Sequence, residues 1–307
     1  MRKIVVSGLL NIETTLDAEK FPIEYCPIEY RFFGINSYVS GVGTNISFAL
    51  KKLSNEVRVL SLTGDDLNRG VILNEFNEKG IRTNGILPII KATPVSLVLY
   101  DKDGKRKIYC DLKDIQENEY PLKMAIEYLY DCDIAVLCNI NFNRGLLKAA
   151  RELNKTIATD IHVLSNLDDE YNKDFLRYSQ IVFLSDEGIQ GDKKQFLSLM
   201  KDKYDMEIIV LGCGKDGALM YVRQDDRFYK MDSVKNDNTV NTVGAGDALF
   251  SGFINFYAKG FSPLECLKRA QMFASAKISF DGASQGFIDE DEIERRLSAL
   301  SICTEEI

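Results

Sequence analysis

The segment Asn241-Thr242-Val243-Gly244-Ala245-Gly246-Asp247 combines two features that chemistry on an anion requires. Small residues at 244–246 leave backbone N–H groups unobstructed at the start of an apolar helix, and a helix N-terminus favours negative charge. Such a turn is an anion hole able to hold a phosphoryl group in transit. Asp247 falls in the first turn of that helix. There the same dipole keeps its carboxylate ionised and able to take a proton from an attacking hydroxyl. The residues equally suit a plain helix start, with an acid in the first turn and glycines in the loop, worth ~1 kcal/mol of stability and no catalysis.

Two further glycine clusters could approach a ligand. Ser40-Gly41-Val42-Gly43-Thr44-Asn45 feeds a helix expected from Ile46. Its glycines let the backbone come close, and Asn45 offers both a donor and an acceptor to a polyol. Helix capping by Asn45 is the other reading. Gly212-Cys213-Gly214-Lys215-Asp216-Gly217 fits G-x-G-x-x-G in form, but the strand Ile208–Leu211 before it is followed by a second strand over Ala218–Val222. A dinucleotide fingerprint needs a helix there, so the cluster is a tight β-turn-β connection. Its backbone could still line a nucleotide. No G-x-x-x-x-G-K-[ST] occurs, which excludes P-loop chemistry.

These clusters need a scaffold, and the rest of the chain supplies one. Apolar, β-branched runs at Ile4–Val6, Val57–Leu62, Ile134–Cys138, Thr156–Thr159, Ile181–Leu184 and Ile208–Leu211 alternate with amphipathic segments at Ile46–Leu53, Val71–Lys79, Arg144–Leu153, Lys173–Tyr178 and Lys193–Lys203. Strands apolar on both faces and separated by helices predict a parallel sheet covered on both sides. Two helices end the chain's core: Asp247–Ala258, stopped by Gly260, and one opened by the capping box Ser262-Pro263-Leu264-Glu265. Val95–Tyr100 and Lys105–Cys110, joined through Asp101–Gly104, predict a hairpin. Phe21–Gly34, rich in aromatics and proline, suits extended strands. The expected architecture is therefore an α/β core over residues 1–10, 37–92 and 113–307, with a β layer from 11–36 and 93–112 projecting from it. A layer this aromatic needs a ligand beneath it or a second subunit.

Composition narrows the function classes. The 307 residues are 45% hydrophobic and 27% charged, enough to bury a full core. A net charge of −8 lacks the clustered basic footprint of a nucleic-acid binder. Seven cysteines without a C-x-x-C pair point away from a disulfide framework and towards a cytoplasmic location. His162 is the only histidine, which removes every His-cluster metal site, and no apolar run is long enough to span a membrane.

In this order and spacing the clusters resemble those of the ribokinase-like (PfkB) family of carbohydrate and nucleoside kinases, over nearly the whole chain. Asn241–Asp247 is similar to the family's D-T-x-G-A-G-D signature, and Ser40–Asn45 to its Gly-Gly signature. Gly64-Asp65-Asp66 with Gly70 resembles its G-x-D-x-x-G, and Gly8–Glu13 its Asn-x-Asp substrate segment. Thr93–Arg106, with Gly104 and Arg106, resembles the lid hairpin. The resemblance implies a three-layer α/β/α core with a mostly parallel sheet and a small β lid. It implies ATP-dependent phosphorylation of a hydroxyl of a small sugar or sugar-like substrate with magnesium, and a homodimer through the lid. A nucleoside kinase of the same fold and a catalytically weak ligand-binding sensor are the alternatives.

Carried over, Asp247 is the implied base and Gly244, Ala245 and Gly246 the implied anion hole. Asn11, Glu13, Gly41, Val42, Asn45 and Asn139 would hold the acceptor. Gly212, Gly214, Lys215 and Gly217 would lie along ATP, with Ala274 and Ser284 beside adenine. Four departures from the pattern fall at five positions: Glu13 replaces an Asp, Ser40 a Gly and Asn241 an Asp, and Ser185 and Gly188 replace the Asn and Glu of N-x-x-E. The last leaves Asp186 or Glu187 as the oxygen ligand on the magnesium side. Loss of the charge at Asn241 puts activation by a monovalent cation in doubt. His162, two residues after Asp160, reads as polar lining of the cleft.

Overall fold

The computed structural model describes residues 1–307 apart from 103, 104, 237, 239–241, 281 and 301. Gly104 of the hairpin turn and Asn241 of the C-terminal signature therefore lie outside the described residues. In chain order the strands are β1 (Lys3–Ser7), β2 (Asn11–Glu19), β3 (Ile35–Ser40), β4 (Glu56–Thr63), β5 (Ile86–Pro88), β6 (Val95–Asp101), β7 (Arg106–Asp111), β8 (Ile134–Leu137), β9 (Thr156–Val163), β10 (Ile181–Ser185), β11 (Ile208–Gly212), β12 (Ala218–Val222), β13 (Arg227–Met231) and β14 (Thr304–Glu306). The helices are α1 (Val42–Lys52), α2 (Leu67–Glu78), α3 (Leu122–Tyr130), α4 (Arg144–Glu152), α5 (Lys173–Tyr178), α6 (Lys193–Lys203), α7 (Ala245–Ala258), α8 (Pro263–Lys277) and α9 (Glu290–Leu297).

Ten strands form one sheet in the order β14-β13-β12-β11-β10-β9-β8-β1-β4-β5. The run from β11 to β5 is parallel, and β12, β13 and β14 add antiparallel at one edge. Alternation along each strand divides the core into two layers. Ile4, Val6, Val57, Val136, Phe183 and Val210 pack with α1, α7 and α8 on one face. Val5, Leu60, Leu137, Val182 and Leu211 pack with α3 to α6 on the other. This is the three-layer α/β arrangement that the both-sided apolar runs demand.

A second sheet, β3-β2-β6-β7, stands apart. Asp66 fixes its root: one carboxylate accepts from the Arg69 backbone N–H at 3.0 Å, capping α2, and from the Thr93 backbone and hydroxyl at 2.7 Å each, just before β6. The expectation of strands through Phe21–Gly34 is wrong. Pro22 and Pro27 carry no ladder donor, and pairing resumes only at Ile35. The stretch is an irregular loop whose aromatics face solvent, with Tyr25 93% and Phe33 98% exposed. The helix after the Ser40 cluster also begins earlier than expected, at Val42, so Asn45 lies inside α1 and does not cap it.

Candidate active site

Gly244 is the N-cap of α7 and takes φ +79°, in the left-handed region. A Cβ there would stand 2.6 Å from the Ala283 carbonyl oxygen, so the turn is packed against the chain that follows α8. A Cβ on Gly246 would meet nothing within 4 Å. That open side is the wall of a cavity of ≈ 520 Å³ also lined by Ala245, Asp247, Asp160 and Glu187. The cavity lies at the carboxyl ends of β9, β10 and β11, where parallel sheets bind ligands.

Asp247 is 9% exposed, and its Oδ2 accepts from the Asn45 side-chain amide at 2.7 Å. Burial pushes its carboxyl up to about 6. The charge of His162, the Asn45 hydrogen bond and Lys277 oppose the rise, and Asp160 adds to it. Burial therefore outweighs the factors favouring ionisation, yet the group is still mostly a carboxylate at pH 7. Cys138, at the end of β8, is driven strongly up by burial and then by the charges of Asp247 and Asp160, so its thiol stays neutral.

Of the expected acceptor residues Asn45 contacts Asp247 directly. Gly41 takes φ +96° because a Cβ there would sit 2.5 Å from the Leu9 oxygen and 3.2 Å from Asn11 Oδ1. Asn11 donates to Ser96 Oγ at 2.9 Å, and Ser40 Oγ donates to Glu13 Oε2 at 3.3 Å. Val42 opens α1 and packs on the core. The Oδ1 atoms of Asn11 and Asn45 are buried and accept no hydrogen bond among the described residues. Two orphaned acceptors in one place are the complement of a molecule that brings hydroxyl donors. Asn139 is engaged elsewhere, its amide donating to Asn172 Oδ1 at 3.2 Å and to the Ile161 carbonyl at 3.5 Å, and, like Asn11, Glu13, Gly41, Val42 and Asn45, it is not among the residues lining the cavity.

On the other side Gly212, Gly214, Gly217 and Ala274 line the cavity as expected. Lys215 lines a neighbouring cavity with Asp216 and Lys230, and the Ser284 hydroxyl donates to the Val39 carbonyl at 3.0 Å instead of facing the cleft. Of the two acids proposed for a metal, Glu187 lines the cleft, whereas Asp186 is paired with Lys193 Nζ at 2.6 Å. Among the described residues no three His, Cys, Asp or Glu side chains cluster to hold a metal ion. Magnesium carried on phosphates needs only one or two protein carboxylates, and Glu187 fits that demand.

Of the other residues that line the cavity, Gln271 escaped the sequence reading. Gln271 is buried with Nε2 unpartnered among the described residues, inside a helix that reads as plain core. Arg106 begins β7 and brings a guanidinium from the small sheet to the cavity. Asp160 accepts from the His162 backbone N–H at 2.8 Å, and His162 is held at φ +58°. Both line the cavity, where the sequence reading puts His162.

This geometry, a buried carboxylate beside an open helix N-terminus at the ends of parallel strands, is that of a phosphotransferase. The pfkB family carbohydrate kinase model matches residues 1–290, and the chain belongs to that family, whose members phosphorylate an alcohol group. It is 22% identical over 291 residues to an acarbose 7(IV)-phosphotransferase of Actinoplanes sp., covering 93% of this chain and 95% of that one. It is 23% identical to a deoxyribokinase of Salmonella typhimurium, covering 96% and 98%. Among solved structures, a microbiome-derived acarbose kinase superposes with TM-score 0.87 at 19% identity over 97% of this chain and 99% of that chain. Arabidopsis thaliana ribokinase complexed with ribose and ATP superposes with TM-score 0.83 at 17% identity over 96% and 98%. Among the described residues no helix is long and apolar enough to cross a membrane.

Proposed function

We propose that the chain transfers the γ-phosphoryl group of ATP to a hydroxyl of a small sugar or sugar-like polyol. Asp247 takes the hydroxyl proton as the new O–P bond forms and the bond to ADP breaks. The 244–246 amides receive the charge of the phosphoryl group in transit. Asn11, Glu13 and Asn45 orient the acceptor, Gly212, Gly214 and Gly217 run along the nucleotide, and Glu187 would hold magnesium. When bound, that ion neutralises phosphate charge.

One observation carries this reading: the Asp247 carboxylate is fixed by Asn45 on one side and borders the cavity that opens at Gly246 on the other. A polyol is favoured over a nucleoside because the aromatics that could stack on a base face solvent in the 20–34 loop. ATP-dependent ADP release tested over neutral sugars, sugar acids and nucleosides checks the assignment. Turnover confined to nucleosides would overturn the polyol reading, and no turnover with any acceptor would favour a sensor. The same exposed aromatics support a homodimer through the lid, and a monomer in sedimentation at micromolar concentration would contradict it.

A further inference from the structure

Ser96 lies on β6 of the small sheet and is buried although its side chain is polar. Burying a hydroxyl costs stability unless it is hydrogen-bonded. Its partner is another buried polar side chain: the Asn11 amide of β2 donates to Ser96 Oγ at 2.9 Å. The bond is not needed to align the strands, because β2 and β6 already pair in parallel from Ile12 opposite Val95 onward. Nor does packing ask for a hydroxyl here. Val98, two residues on along the same face, is apolar and buried.

The hydrogen-bonding capacity of the two side chains is only partly used. Asparagine carries two N–H donors and an oxygen acceptor, and serine a donor beside its lone pairs. Their one bond leaves the Asn11 oxygen without a donor and the Ser96 proton without an acceptor among the described residues. An unmatched acceptor beside an unmatched donor is the complement of an alcohol, which is both at once. A chain of contacts joins this pair to the base. Asn11 Oδ1 stands 3.2 Å from where a Cβ on Gly41 would be, the Gly41 carbonyl accepts from the Asn45 backbone N–H at 2.9 Å, and the Asn45 amide reaches Asp247 at 2.7 Å. In the sheet register Ser40 stands opposite Asn11, and Glu13 opposite Ser96.

We propose that Ser96 is a specificity-determining residue: with Asn11 it forms a buried pair that reads a second hydroxyl of the acceptor, in addition to the one phosphorylated. That hydroxyl donates to Asn11 Oδ1 and accepts from Ser96 Oγ. The inference rests on the kinase reading above and deepens it. An acceptor lacking the second hydroxyl leaves both groups unpaired away from water, the circumstance in which a site discriminates most strongly.

The test offers the unaltered protein D-ribose, D-fructose, D-glucose and D-gluconate, each beside its monodeoxy analogues, with ATP and magnesium. For the acceptor used best, one monodeoxy analogue is expected to lose on the order of a hundredfold in kcat/KM. Analogues that all stay within about threefold of their parent overturn the proposal. In Ser96→Ala the discrimination is expected to shrink about tenfold through loss on the parent sugar, with the deoxy analogue handled as by wild type. Equal loss on both sugars marks a merely structural role and overturns the proposal, as does unchanged discrimination. Thermal unfolding reports whether the variant is folded. If it is not, Ser96→Cys, with only a weak donor, takes its place. Turnover of none of these sugars counts against the kinase reading, and the same pairs are then compared by calorimetric binding. A parent sugar bound no tighter than its analogues, or no binding of any sugar, overturns the proposal independently.

Discussion

Asn45, in the second turn of α1, donates its side-chain amide to Oδ2 of Asp247 in the first turn of α7 at 2.7 Å. This bond joins the helix that presents the acceptor side to the helix that carries the glycine turn. It fixes one carboxylate oxygen. A bond to a charged group contributes roughly 1.5–3 kcal/mol. Asn45→Ala is therefore expected to lower kcat/KM by about 10–100-fold, with KM for the acceptor rising because the orphaned Asn45 Oδ1 is lost too. Steady-state kinetics checks this, and unchanged kcat/KM would show that the contact does not orient the base.

The pH profile should carry the mark of burial. Asp247 is raised from the ordinary carboxylate range to about 6, chiefly because burial penalises its charge. kcat/KM is expected to fall as pH drops through about 6, where the base becomes protonated, and an acid limb near 4 would contradict this environment.

Stability should move the opposite way. Because the folded carboxyl holds its proton up to about 6 and the unfolded one only to ~3.9, the native state binds more protons between these values. Stability thus falls as pH rises through that window, and the cost is complete above it. Asp247→Asn is expected to be more stable than wild type at pH 7.5 by up to roughly 3 kcal/mol, an advantage that disappears near pH 4. Urea midpoints at the two pH values measure it, and identical differences at both would remove burial as the cause.

The two glycines of the turn should separate fold from chemistry. Gly246→Ala adds a methyl group to open space, so stability stays near wild type while kcat drops on the order of a hundredfold as the methyl enters the anion hole. Gly244→Ala must adopt φ +79° and press on the Ala283 oxygen, costing about 1–3 kcal/mol of stability. Thermal melts beside kinetics distinguish them, and a fully active Gly246→Ala would place the phosphoryl group elsewhere.

Much of this was legible in the sequence, for identifiable reasons. Strands such as Ile181–Ser185 are buried on both faces, so they read as unbroken apolar runs. The glycine turns read equally well because close backbone approach tolerates few other residues. β2, Asn-Ile-Glu-Thr-Thr-Leu-Asp-Ala-Glu, is polar and half-exposed and gave no such signal, while the aromatic content of 21–34 suggested strands that its prolines forbid. Glu187 and Asp186 were inseparable by type, and the ion pair with Lys193 divides them only in three dimensions.

That division makes the acids testable. Glu187→Gln is expected to raise the magnesium concentration giving half-maximal rate by about tenfold, in line with loss of a ligand-shell carboxylate. Asp186→Asn should leave it unchanged. The reverse pattern in magnesium titrations would transfer the role to Asp186.

The base assignment is tested most directly by comparing wild type and Asp247→Asn in single turnover with ATP and an active acceptor, with binding of both substrates measured separately. Positioning and proton transfer together lead us to expect a rate loss of about three orders of magnitude or more with binding retained. Equal rates in the two proteins would contradict the role of Asp247 and the site built around it.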